Sequence, residues 1–358
     1  MELTHHSYAR VGLMGNPSDG FYGKTISLLI SNFFVKLTLI PNDLIDNNKI
    51  FFLSSSNSNN DCNLSFDSLN SLVEISKSKG YNKENCLLQA TCKVFSEYCL
   101  KNNFNLHNQG FSVHFNTNIP RQVGLAGSSA VVTAFWKVLM KFYNISDKNI
   151  PLPIQANLIL SVEKDELNIS AGLQDRVIQV YGGLMYMDFN KDHMIEHGVG
   201  IYERLDINSL PKELWIAYEQ NPSDSGKIHS DVRKRYERGD QKVIDAMKQF
   251  TLFAEQARNI LIQRNEPKRS EFAKLMNKNF DLRREIFGDQ VLGQTNLIMI
   301  ELARKHNFAA KFTGSGGAIL GLWNGDDDND PTILINAEKL KSELEKEGFC
   351  FCWLIPHE

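Results

Sequence analysis

The stretch Pro120-Arg-Gln-Val-Gly-Leu-Ala-Gly-Ser-Ser-Ala130 decides how the rest of the chain is read. Before it, residues 111–116 alternate apolar and polar side chains as a strand does. After it, Val131, Val132, Phe135, Val138, Leu139 and Phe142 fall on one face of a helix over 129–143. A Gly-rich turn between strand and helix lets the backbone approach an anion closely. The first helical turn adds unpaired N–H groups and the positive end of the helix dipole. Ser128 and Ser129 add hydroxyls suited to a phosphate or to a metal bound to one. Pro120, Gly124, Leu125, Ala126, Gly127, Ser128, Ser129 and Ala130 are therefore the candidate phosphate-binding residues. The loop lacks the Gly-Lys-Ser/Thr ending of a Walker A motif. Taken alone it equally fits a plain glycine turn with a serine cap.

Working outward, mixed strands followed by helices recur on both sides of the loop, which predicts an α+β protein of two domains. Strands are expected at 8–15, 26–40 and 214–218, a hairpin around Gly314-Ser-Gly-Gly317, and a closing strand at 349–354. Helices are expected at 84–101, 154–166, 226–237, 240–264, 268–287, 291–306 and 335–346. Ser54–Asp61 and the acidic run 326–330 read as surface loops, and the domain boundary as 205/206. The 358 residues are 42% hydrophobic and 23% charged, with a net charge of −3. That balance excludes a basic nucleic-acid footprint, and no apolar run approaches the roughly 20 residues of a membrane span. The N-terminus lacks the basic-then-apolar pattern of a signal peptide. The six cysteines form no CxxC pair, and Cys86, Cys92 and Cys99 share one expected helix. Reduced core thiols and a cytoplasmic location are expected.

Three further segments carry chemistry. Glu163 and Asp175 stand twelve residues apart, separated by a helix break at Ser170-Ala-Gly172. One carboxylate can hold Mg²⁺ while the other takes a proton from a hydroxyl; two solvated acids are the alternative. The run Ala9-Arg-Val-Gly-Leu-Met-Gly-Asn-Pro-Ser-Asp-Gly-Phe-Tyr-Gly-Lys-Thr25 puts Asn16, Ser18, Asp19 and Lys24 on a Gly-rich turn suited to sugar hydroxyls. Phe312-Thr-Gly-Ser-Gly-Gly-Ala318 can pass close to another backbone or to a ligand at Gly316.

In this order the four segments resemble the signature of the GHMP kinases, over nearly the whole chain. Arg10–Gly15 looks like the first motif, the 120–130 loop like the second and 313–318 like the third. The spacing of Glu163 and Asp175 is similar to that of the metal-binding and catalytic acids of galactokinase-like members. The family usually reads Gly-Leu-Gly-Ser-Ser-Ala, whereas this chain carries one extra residue, so the metal-binding serine is Ser128 or Ser129. The resemblance implies an N-terminal domain like ribosomal protein S5 over 1–205 and a ferredoxin-like domain over 206–358.

Finer resemblance is to the glucuronokinases, in Gly15–Thr25, in 120–129, in Asn221-Pro-Ser-Asp-Ser-Gly-Lys-Ile-His229, in Gln294-Thr-Asn-Leu297 and in Lys311–Gly317. It implies transfer of phosphate from ATP to the anomeric hydroxyl of D-glucuronate, supplying UDP-glucuronate synthesis. Catalytic roles then fall to Asp175 as base and Arg10 as neutraliser of transition-state charge. Mg²⁺ ligation falls to Glu163 and one of the serines, and sugar contacts to Asp19. Galactokinases have an acid where this chain has Asn16, and an anionic sugar would be repelled by that charge. Lys227 and Lys24, with Arg121 behind them, are candidates for the sugar carboxylate, though surface lysines would look the same. The alternatives are a kinase for galacturonate, arabinose or galactose, one for mevalonate or homoserine, or an inactive sugar sensor.

Overall fold

The computed structural model describes residues 1–43, 47–53, 62–220, 230–263, 269–325, 327 and 330–358. The chain divides into two compact units. The first holds 1–8, 33–119 and 127–180, and the second holds 9–32, 120–126 and 181–358.

In the first unit, Phe111–Thr117 pairs antiparallel with residues 35–41 of the long strand Lys24–Pro41 and parallel with Ile50–Leu53. Cys62–Phe66 closes that edge. The helices are Leu69–Lys79, Cys86–Lys101, Gly127–Phe142, Leu152–Ser161 and Leu173–Tyr181. Gly127–Phe142 is buried along most of its length, so it carries more than the single apolar stripe expected of it. Trp136 meets Phe95 edge-on at 5.1 Å between ring centres, and Phe111 meets Phe142 at 5.3 Å. Edge-to-face pairs of this kind strengthen a core beyond simple burial. Cys92 and Cys99 are buried free thiols, and Cys86 is a half-buried one.

The helix expected over 154–166 changes character part-way. It is α-helical over Leu152–Ser161 and then widens into a π turn over Val162–Glu166. Such π segments occur often at functional sites, and Glu163 lies in this one.

The second unit has a four-stranded antiparallel sheet. Its order is Phe349–Trp353, Trp215–Glu219, Ala318–Trp323, Phe308–Phe312. The helices Gln241–Ile262, Arg269–Phe287, Gln294–Lys305 and Thr332–Lys346 belong to the same unit. Gly321 has to be glycine, because a Cβ there would stand 1.9 Å from the ring of fully buried Trp215. Residues 24–28 of the long strand pair with Leu184–Asp188, which pairs in turn with Ile201–Leu205. The expected hairpin around Gly314–Gly317 is present as Phe308–Phe312 and Ala318–Trp323. No described helix is long and apolar enough to cross a membrane.

Candidate active site

The 9–25 and 312–318 segments and the 120–126 part of the central loop lie in the second unit and are tied to one another there. Gly12 N–H donates to the carbonyl of Thr313 at 2.9 Å, and Arg10 N–H to that of Leu125 at 3.3 Å. The buried Arg10 guanidinium donates to Gly124 O at 2.6 Å and to Thr313 O at 3.4 Å. The Thr313 hydroxyl donates to Gly124 O at 3.2 Å. The two Gly-rich loops therefore press backbone against backbone. Gly317 has φ +83°, and a Cβ there would lie 2.7 Å from Val123 Cα. Gly124 has φ +71°, and its Cβ would lie 2.9 Å from Gly316 O. Ala126, in the loop that carries one extra residue, takes a left-handed φ of +62°, which costs a residue with a Cβ about 1–2 kcal/mol. Pro120 is half-buried, Leu125 buried and Arg121 exposed.

The loop runs on into the helix Gly127–Phe142 of the first unit. Gly127 is helical, and a Cβ there would meet Ile119 only at an ordinary 3.4 Å. Positive φ therefore falls on Gln122, Gly124 and Ala126, not on Gly127. Ser128 is exposed on the first turn, whereas Ser129 and Ala130 are fully buried.

In the same unit, Glu163 is fully buried and its Oε2 accepts from Arg176 Nη2. Arg176 is itself only 3% exposed. Its Nη1 donates to Gly172 O at 3.0 Å and lies 3.5 Å from Asp175 Oδ2. Asp175 opens the helix Leu173–Tyr181 with its side chain 21% exposed. One guanidinium thus touches both carboxylates named from the sequence. Arg176 was not anticipated, although its place directly after Asp175 was visible. Glu163 Oε1 is buried with no hydrogen-bond partner among the described residues.

The 15–24 turn is held mostly by its own polar groups. Asn16 Oδ1 accepts from Lys311 Nζ at 2.6 Å, and Asn16 Nδ2 donates to Phe312 O at 3.4 Å. The buried Ser18 hydroxyl donates to Lys24 O at 3.0 Å. Asp19 sits half-buried in the single turn Ser18–Phe21. Lys24 is ion-paired to Glu255 at 2.5 Å and to Asp188 at 3.1 Å. Burial opposes its charge, but the two carboxylates outweigh that and raise its pKa. Gly316 has φ +137°, and a Cβ there would meet the Asn296 amide at 3.4 Å. Lys227, with the whole 221–229 segment, lies outside the described residues, as do 54–61 and most of the acidic run 326–330. Two further buried cations, Lys311 and Arg283, escaped the sequence reading. Lys311 had one signal, its place immediately before the Phe312–Gly317 motif; Arg283 had none.

Residues 87–183 match the family model of the GHMP kinases N terminal domain. Over 350 residues the chain is 48% identical to the probable glucuronokinase 2 of Arabidopsis thaliana, covering 97% of this chain and 89% of that one. The chain belongs to the GHMP kinases. This GHMP kinase is also 46% identical to Arabidopsis thaliana glucuronokinase 1, covering 97% of this chain and 90% of the relative. Its fold is that of the Methanococcus jannaschii mevalonate kinase, with a TM-score of 0.71 at 19% identity over 99% of this chain and 98% of that one. It is likewise that of Lactococcus lactis galactokinase complexed with galactose, with a TM-score of 0.75 at 15% identity over 99% and 93%. The protein is thus a two-domain α+β kinase that transfers a phosphoryl group to a hydroxyl, and ATP is the donor its family implies.

Such kinases work with a divalent cation, and the residues present fit one. Mg²⁺ is commonly held by one or two carboxylates together with substrate phosphates, not by an all-protein cage. Glu163 matches that need, with one oxygen fixed by Arg176 and the other unbonded among the described residues.

Proposed function

We propose that this GHMP kinase converts D-glucuronate and ATP to D-glucuronate 1-phosphate and ADP. The observation that carries the reading is the near-full-length likeness to two glucuronokinases, together with an acid pair locked on one arginine. The ATP phosphates bind at the 120–130 segment, where glycine backbone and the helix N-terminus favour an anion. Glu163 and one of Ser128 and Ser129 would hold Mg²⁺, which would supply charge neutralisation when bound. Asp175 accepts the proton of the anomeric hydroxyl, and Arg10 offsets charge that develops on the transferred group. Asp19 accepts from sugar hydroxyls, while Asn16 and Ser18, whose polar groups are bonded within the protein, hold the turn in shape. Positioning and electrostatics supply the rate, with no covalent enzyme intermediate. A cytoplasmic enzyme feeding sugar-nucleotide synthesis fits this chemistry.

The test is ADP release from ATP with glucuronate, galacturonate, arabinose, galactose, mevalonate and homoserine in parallel. Glucuronate should give the highest kcat/KM. A larger value for a neutral sugar, or turnover with none of them, would overturn the proposal.

A further inference from the structure

The second unit buries two cations that form no salt bridge among the described residues. Lys311 and Arg283 are each 1% exposed, and neither forms an ion pair with a carboxylate among the described residues. Lys311 Nζ donates to Gly12 O at 2.7 Å, to Asn16 Oδ1 at 2.6 Å and to Phe312 O at 2.8 Å. Three acceptors require three N–H donors, which only the ammonium form has. Arg283 Nη1 donates to Gly314 O at 2.8 Å and Nη2 to Ser315 O at 3.3 Å, and its Nε is buried with no hydrogen-bond partner among the described residues. Its guanidinium lies 4.9 Å from the centre of the Phe312 ring and 5.3 Å from that of Phe287.

Both cations act on the segments already tied to the acceptor. Arg283 sits one helical turn after Asn279 in Arg269–Phe287, so the two share a face. Asn279 Oδ1 accepts from Gly15 N–H at 2.9 Å, and Asn279 Nδ2 donates to Asn16 O at 3.1 Å. The Gly15–Asp19 turn and the Gly314–Ser315 loop are thus gripped from one helix. Burying a cation without a negative partner is costly. Burial pushes the Lys311 ammonium well below the usual lysine range, and the charges of Arg283 and Arg10 push it further. Burial likewise lowers Arg283, to about 10, with Asp19 as the acid that pulls the other way. Arg283 and Arg10 thus act on Lys311, with Asp19 the acid that favours the charge of Arg283.

We propose that Arg283 is the specificity-determining cation for an acidic acceptor, its buried charge beside the Gly15–Asp19 turn favouring a sugar carboxylate over a neutral group, with Lys311 holding that turn through Asn16. Arg283 also acts as a positioning residue through its hold on the Gly314–Ser315 carbonyls. The inference rests on the proposed glucuronate reading.

The test compares D-glucuronate with its neutral isostere D-glucuronamide. The wild type should show a KM for glucuronate at least about 10-fold lower, the scale of a unit charge acting across about 10 Å at an effective dielectric near 20. Arg283→Gln should raise KM for glucuronate about 10-fold and leave KM for glucuronamide and ATP within about twofold, and Arg283→Lys should restore most of the preference. If Arg283→Gln lowers kcat equally with both acceptors and keeps the preference, the residue is only a loop support and the proposal fails. A wild type that uses both acceptors equally well overturns it without any variant, even if Arg283→Gln does not fold. A wild type preferring an unrelated neutral sugar overturns the glucuronate reading itself.

Discussion

Arg176 and Glu163, thirteen residues apart, form a hydrogen-bonded ion pair that is closed off from solvent. The same guanidinium reaches Asp175. A π turn at one end and the start of a helix at the other bring the three side chains together. Removing one partner of a buried pair leaves the other charge stranded, at about 3–5 kcal/mol. Arg176→Met should therefore lower the urea midpoint steeply. The double variant Arg176→Met/Glu163→Gln should regain much of that stability while remaining inactive. Recovery of activity in the double variant would remove Glu163 from the chemistry.

Asp175→Asn preserves shape but removes the base. The expected loss in kcat is at least about 10²-fold, in the range of general-base catalysis, with the circular dichroism spectrum and melting temperature close to wild type. Near-normal turnover would exclude Asp175 as proton acceptor.

Ser128 and Ser129 differ in burial, exposed against fully buried, and one of them is proposed as the metal ligand. Titrating Mg²⁺ at saturating ATP and glucuronate with each alanine variant should show one of them needing several-fold more metal. If both titrate as wild type does, no serine of this pair binds the metal.

The two loop glycines should respond oppositely to alanine. At Gly124 the left-handed φ of +71° and a Cβ 2.9 Å from Gly316 O make alanine destabilising, by at least about 1 kcal/mol from the backbone alone. Gly127 is helical with room for a methyl group, and alanine there should raise stability by about 0.5–1 kcal/mol through helix propensity. Thermal denaturation of the two variants decides it, and equal shifts would mean that the loop conformation is misassigned.

His5 should make the fold less stable in mild acid. Its burial, with the nearby charges of Lys137, His6 and Lys141, lowers its pKa from 6.5 to about 4. Between those values the unfolded chain binds a proton that the folded protein refuses, so stability falls as pH drops from 6.5 towards 4 and is unaffected by this group above 6.5. His5→Phe should flatten that slope in urea titrations at pH 7, 6 and 5. An unchanged slope would place the acid sensitivity elsewhere.

Local pattern was enough for the strand-loop-helix frame around 120–130, for the hairpin at 308–323, and for the order of the motifs that mark a GHMP kinase. These are short-range properties: glycine permits a turn, and apolar side chains at helical spacing need one buried face. The sequence also showed which side chains could carry the chemistry, including Glu163, Asp175, Arg10 and Asp19. It could not show their commitments. Lys24 read as a free cation for the sugar acid, and its partners Asp188 and Glu255 stand 164 and 231 residues away. Arg283 looked like any helical arginine until folding placed it on carbonyls 31 and 32 residues further on. Lys311 bonds to Asn16 across 295 residues. What a buried charge costs, and which group offsets it, depends on the water that has been excluded and on the donors and acceptors left within about 3 Å. Only the packed chain sets those distances. The tertiary structure therefore decided which glycines are indispensable, which polar groups of the 15–24 turn are already bonded, and where positive charge is buried.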